Sequence, residues 1–153
     1  MTPRQFLETV CKPNVKALAA AHDDFRLAVN AILSLDAVVG VLHARLKKAG
    51  ARVEDEDRDF RNVAATAIPK YELLRDAAFS LKHGTLKGRA RLVSNHQQVV
   101  LAGVPFGAFA FGQDTFGGKT IFIEKNDGTS ERVADVATIV LRELELHFAS
   151  YGE

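Results

Sequence analysis

The sequence contains no tryptophan, one methionine and a single cysteine, Cys11, among its 153 residues. One thiol cannot close an internal disulfide and is a poor start for a zinc site, so no metal is expected and a reducing cytoplasm is the expected compartment. Charge of one sign is also missing: 20 Lys and Arg stand against 19 Asp and Glu, a formal net charge of +1. Bulk attraction to nucleic acid is thereby excluded, and any RNA contact must be local. Pro3 and Glu8 stand where a secretory signal would carry a continuous apolar run. The longest mainly apolar stretch, Leu27 to Leu42, is interrupted by Asn30, Ser34 and Asp36 and falls short of the about 20 residues that cross a bilayer, which predicts a core helix and no membrane contact. Gly-x-Ser-x-Gly, His-Glu-x-x-His and Walker patterns are absent, which argues against hydrolase and nucleotide-cradle chemistry of those kinds.

Apolar residues make up 47% and charged residues 25%, the balance of a soluble globular chain. Residues 1–153 read as a single domain with a helical core over 1–84, a loop and β-appendage over 89–134 and a final helix over 135–150. The first helix is expected from Thr2 to Ala21, bent or divided at Pro13. Asp23 or Asp24 caps a second, Phe25 to about Ala49, in which Ala28, Ile32, Leu35, Val39, Leu42 and Leu46 recur at helical spacing before Gly50. Its small residues Ala31, Ala37, Gly40 and Ala44 would admit a closely packed neighbour, and a homodimer through this face is one expectation.

Residues 51–61, charged with both signs, read as a solvated loop leading into a short helix through Asn62–Thr66. Pro69 opens a further helix, Lys70 to Lys82, closed by Gly84. Helical periodicity then stops. Lys125-Asn126-Asp127-Gly128-Thr129 between Thr120–Glu124 and Ser130–Val133 is a hairpin signal, and Asp135 is placed to cap the last helix. The fold class is therefore mainly α, a bundle of about four to five helices with a small β-hairpin appendage before the C-terminal helix. Phe106, Phe109, Phe111 and Phe116 in the Gly-rich stretch 103–118 read as satellite core or as the cover of a small-molecule pocket.

The segment Leu73 to Gly84 concentrates the chemistry, with Arg75-Asp76 near its middle and Lys82-His83-Gly84 at its end. A permanently charged guanidinium and an imidazole that titrates near neutrality can hold a phosphate and move a proton. On an ideal helix the Arg75 and His83 stripes lie about 80° and about 12 Å apart, so the two meet one ligand only if the helix ends before His83. The plainer alternative gives Arg75 a structural carboxylate and lets Lys82-His83 complement the helix dipole. Asp36 and His43, seven residues apart at the margin of the apolar arc, are supporting candidates: the carboxylate could orient the imidazole or pair with Arg75. Lys82, Lys87, Arg89 and Arg91 form a basic cluster able to meet a phosphate backbone.

Arg75-Asp76 followed by His83-Gly84, late in a helical core, resembles the signature of the HEPN superfamily. The resemblance implies a metal-independent RNase site completed across a dimer, with Arg75 holding the phosphate and His83 transferring the proton. By it Arg75 and His83 would be catalytic and no cofactor is required; Asp36, His43, Asp76 and Lys82 are expected, from their own placement, as supporting or binding residues. It further implies RNA or a nucleotide as ligand and, for a toxin-type endoribonuclease, an antitoxin partner. The whole chain also resembles short bacterial cytoplasmic proteins with an Ala-Leu-Asp-rich helix ahead of an Arg-Asp…Lys-His segment. The alternative function is a non-enzymatic homodimeric interaction module.

Overall fold

A computed structural model describes residues 1–88, 90–104 and 118–150. Its elements are α1 (Pro3–Phe6), a π turn (Leu7–Cys11), α2 (Lys12–Ala20), α3 (Phe25–Lys48), α4 (Asp57–Ala67), α5 (Tyr71–His83), a 3₁₀ turn (His96–Gln98), β1 (Val99–Gly103), β2 (Lys119–Glu124), β3 (Ser130–Arg132) and α6 (Val133–Ser150). The chain is mainly helical, with a small antiparallel sheet before the last helix.

Pro13 does not divide the first helix. Proline lacks an N–H and its ring crowds the carbonyl four residues back, and the strain is absorbed by the π turn, where the N–H of Lys12 reaches back to the carbonyl of Leu7. From Pro3 to Ala20 the helical path is unbroken. Asp24 caps α3 by accepting the N–H of Leu27 at 3.1 Å. By length and composition α3 is able to cross a membrane, its most apolar window averaging a hydropathy of 1.8, which corrects the view that the run is too short. Here it is the central helix, with Ile32, Leu35, Val38, Val39 and Leu42 buried and α2, α4, α5 and α6 packed around it.

The charged stretch is less of a loop than its composition suggests. Helix α4 begins at Asp57, five residues before the expected start, and buries Phe60 and Arg61. Burial of Phe60, Ala64 and Ile68 at four-residue spacing drives that extension. Helix α5 starts after Lys70, which sits at φ +63°, and ends at Gly84, whose φ of +77° suits the one residue without a Cβ. Helix α6 begins at Val133, so Asp135 lies in its first turn instead of capping it.

The hairpin forms as expected: Glu124 pairs with Ser130, and Gly128 turns the chain at φ +84°. A third strand, β1, is added on its other side, Val99 opposite Ile123 through Gly103 opposite Lys119. Strand β2 is buried on both faces through Thr120–Ile123. It is tied to the α2–α3 turn, where the carbonyl of His22 accepts from the Ile121 N–H and the Thr120 hydroxyl, both at 3.2 Å. The expectations for Phe106, Phe109, Phe111, Phe116 and Arg89 fall outside the described residues.

Candidate functional site

Two carboxylates with no exposed surface, Asp36 on α3 and Asp76 on α5, organise the polar interior. Asp36 is saturated. Its Oδ1 accepts from Arg61 Nη1 at 2.5 Å and from the Tyr71 hydroxyl at 3.2 Å, and its Oδ2 accepts from Lys82 Nζ at 2.8 Å. Arg61 also donates to the Asp36 carbonyl at 2.7 Å and, through Nε, to Asp57 at 2.7 Å. Burial pulls the Arg61 guanidinium toward neutrality, but Asp36, Tyr71 and Asp57 together outweigh it and hold the group firmly protonated. Burial, and then the same carboxylate, push the Tyr71 phenol well above its usual range. The cluster therefore stays a fixed set of charges binding α3, α4 and α5 together.

Gly40 belongs to this cluster. A Cβ there would lie 2.5 Å from Arg61 Nη2, so at this point the small-residue stripe of α3 receives a guanidinium of its own chain in place of a second helix. His43 is buried and stacks on Phe60 with ring centroids 4.9 Å apart. Its Nε2–H donates to the Glu54 carbonyl at 2.7 Å, and its Nδ1 stands 3.8 Å from Asp57. Asp36 and His43 thus serve different partners: the carboxylate is taken up by Arg61, Tyr71 and Lys82, and the imidazole pins the 49–56 connection to α3.

Asp76 serves an open site. Its Oδ1 accepts from Arg91 Nη1 at 3.1 Å and lies 3.8 Å from Arg75 Nη2, while its Oδ2 accepts the backbone N–H of Leu92 at 2.9 Å. Arg75, also buried, donates from Nη1 to the Arg61 carbonyl at 3.1 Å and to Asn62 Oδ1 at 3.0 Å. Arg91 is held through its backbone as well: Asn126 in the hairpin turn donates to the Arg91 carbonyl at 2.9 Å and, through its own N–H, to the Leu92 carbonyl at 2.8 Å. The β-appendage is therefore a clamp on the loop that carries Arg91.

Between α4, α5 and this loop lies a cavity of about 400 Å³, within the usual range for ligand sites, lined by Arg58, Asp59, Arg61, Asn62, Arg75, Phe79 and Arg91. Among the described residues Arg91 Nε is buried and has no hydrogen-bond acceptor, an uncommon state for a charged donor. Arg58, 82% exposed and touching Asp59 at 3.3 Å, stands at the mouth. Convergent guanidinium groups with a spare donor suit an anion with several acceptor oxygens.

The structure brings Arg75, Asp76 and Arg91 together at this cavity, joins Asp36 and Lys82 in the neighbouring cluster, and leaves His83 outside the cavity wall. The His83 residue is exposed at the end of α5, its ring 5.8 Å from that of Phe79, which does line the wall. The sequence reading passes over Arg61, because its neighbours Asp55, Glu56, Asp57, Arg58 and Asp59 look solvated. The signal that points inward is the Phe60, Ala64, Ile68 spacing. Among the described residues no three His, Cys, Asp or Glu side chains are grouped to hold a metal ion. Cys11 is buried, donates to the Ser34 carbonyl at 3.3 Å and has its thiol pushed up to about 12 by burial, so it is no nucleophile. The chain matches no protein-family model, no curated protein and no solved structure.

Proposed function

We propose that the protein binds the phosphate of a nucleotide or RNA in the arginine-lined cavity between α4 and α5. The observation that carries this reading is the convergence of Arg58, Arg61, Arg75 and Arg91 on one cavity, with Arg91 Nε buried and lacking an acceptor among the described residues. A bound phosphate would draw the Arg91 side chain toward the cavity and give Nε an acceptor. Because the net charge is only +1, this local concentration, and not a global field, would capture the ligand.

Metal-independent cleavage is the catalytic extension of the same reading. A 2′-hydroxyl would attack the adjacent phosphorus and break its bond to the 5′-oxygen of the next nucleotide, leaving a 2′,3′-cyclic phosphate. Solvent would take the 2′-hydroxyl proton, His83 would give a proton to the departing 5′-oxygen and Arg75 would stabilise charge on the phosphoryl oxygens. What supports it is that His83 stands one aromatic ring from the cavity wall. The deciding experiment measures RNA binding by fluorescence anisotropy, and RNA cleavage in EDTA, for wild type, Arg58→Ala, Arg91→Gln and His83→Ala, with folding checked by circular dichroism. Binding lost in the two folded arginine variants supports the site, and cleavage lost in His83→Ala with binding intact supports catalysis. Absence of binding by wild type overturns the reading in favour of a non-enzymatic interaction module.

A further inference from the structure

Phe79 is out of place in a cavity built only for phosphate. It sits half-buried on the wall among four arginines, and an inorganic anion would make no use of its ring. Lys82 Nζ and Arg91 Cζ both lie 5.8 Å from its centroid, at the outer limit of about 6 Å for a cation–π contact. Both cations are fixed from elsewhere, Lys82 by Asp36 and Arg91 by Asp76, so the ring is not what holds them. One helical turn on, the exposed His83 ring extends the aromatic surface, tilted 41° to Phe79. A cationic pocket thus opens onto a short aromatic path toward solvent.

Resting on the phosphate-binding reading above, we infer that the ligand is a single-stranded polynucleotide and that Phe79 receives a base next to the phosphate held by the arginines. Stacking on an aromatic side chain needs an unpaired base that can turn out of its strand, and a duplex does not offer one. Phosphate and base then occupy adjoining parts of one site, with Arg91 Nε on the first and Phe79 on the second. The strand leaves over His83, which places the next phosphodiester beside its imidazole, with the His96 ring against the neighbouring Gly84.

The test compares Phe79→Leu, which keeps an apolar side chain against the wall, and Phe79→Trp with wild type. Three ligands are titrated: a labelled single-stranded RNA 12-mer, the same sequence as a duplex, and tripolyphosphate. Phe79→Leu should weaken the single strand by between about 5-fold and 100-fold, the range for one stacked base, and leave tripolyphosphate within twofold. Phe79→Trp should retain the single strand, and the duplex should compete poorly. Equal loss of RNA and tripolyphosphate in Phe79→Leu, or a duplex that binds as tightly as the single strand, would overturn the inference while leaving phosphate binding in place. Failure of wild type to bind any of the three removes the phosphate-binding reading itself.

Discussion

Asp36 and Asp76 are both fully buried carboxylates that meet arginines, yet one closes a structure and the other opens a site. Around Asp36 both oxygens are occupied by donors of the same chain, so the carboxylate is closed, and only the outer side of Arg61 reaches the cavity wall. Around Asp76 the carboxylate holds Arg91 and the Leu92 N–H and stands beside Arg75, so that two cavity-lining arginines are positioned together, and Arg91 Nε is left over among the described residues. Buried ion pairs are weak evidence for either role by themselves. What separates the two is whether a donor is left without an acceptor among the described residues and whether its side chain lines a cavity.

The comparison is broken most severely at Asp36. Asp36→Ala would strand Arg61 in the interior, and loss of one partner of a buried pair costs about 3–5 kcal/mol, expected as a lower urea midpoint or outright unfolding. Asp76→Asn removes the charge facing Arg91, which is 17% exposed and so better solvated. Its expected cost is about 2–3 kcal/mol, together with loss of RNA affinity because Arg75 and Arg91 are no longer aimed. If Asp76→Asn destabilises the protein but binds RNA normally, Asp76 is merely structural.

Gly40→Ala probes the closed cluster from outside. Alanine normally stabilises a helix interior by up to about 1 kcal/mol over glycine, yet here its Cβ would press on Arg61 Nη2 at 2.5 Å. A net loss of about 1–2 kcal/mol is expected from the displaced guanidinium, and a gain in melting temperature would show that Arg61 moves freely. Arg91→Lys keeps a charge for Asp76 but removes Nε–H. Stability should hold within about 0.5 kcal/mol, while phosphate affinity falls about tenfold, or about 1.4 kcal/mol.

The smallest effect lies far from both carboxylates, at Glu131. Burial favours its neutral form, but Lys70 at 2.7 Å and Lys125 at 3.2 Å outweigh that and hold its carboxyl below the usual value of 4.5. A depressed folded value means the ion pairs add stability above about pH 4.5, and that this share is lost as pH falls through the folded value. The groups are partly exposed, so the contribution is below about 1 kcal/mol. Glu131→Gln should remove this acid-dependent part of the stability curve and leave RNA binding unchanged.

Much of the fold is legible locally. The Asp24 cap, the apolar repeat of α3, the Gly84 stop and the Asp127-Gly128 turn each depend on neighbours a few residues away. Strand β1 is less legible, because its partner β2 lies across the Gly-rich stretch and no hairpin turn announces the pairing. The site is legible only in part. Arg75 and Asp76 stand out as a charged pair in the apolar middle of α5, whereas Arg61 hides among carboxylates and Phe79 reads as one more apolar residue of that helix.

The sequence by itself determined most of the helices and where the hairpin turns, because capping, periodicity and glycine freedom act within a few residues, while the first turns of α4 waited on burial of Phe60 and Arg61. Only the tertiary structure decided which charges are closed and which are open. Asp36 and Lys82 meet across 46 positions, and Asp76 and Arg91 across 15. Packing, not local pattern, sets whether a buried donor finds its acceptor inside the protein, as Arg61 does at Asp36, or is left without one among the described residues, as Arg91 Nε is.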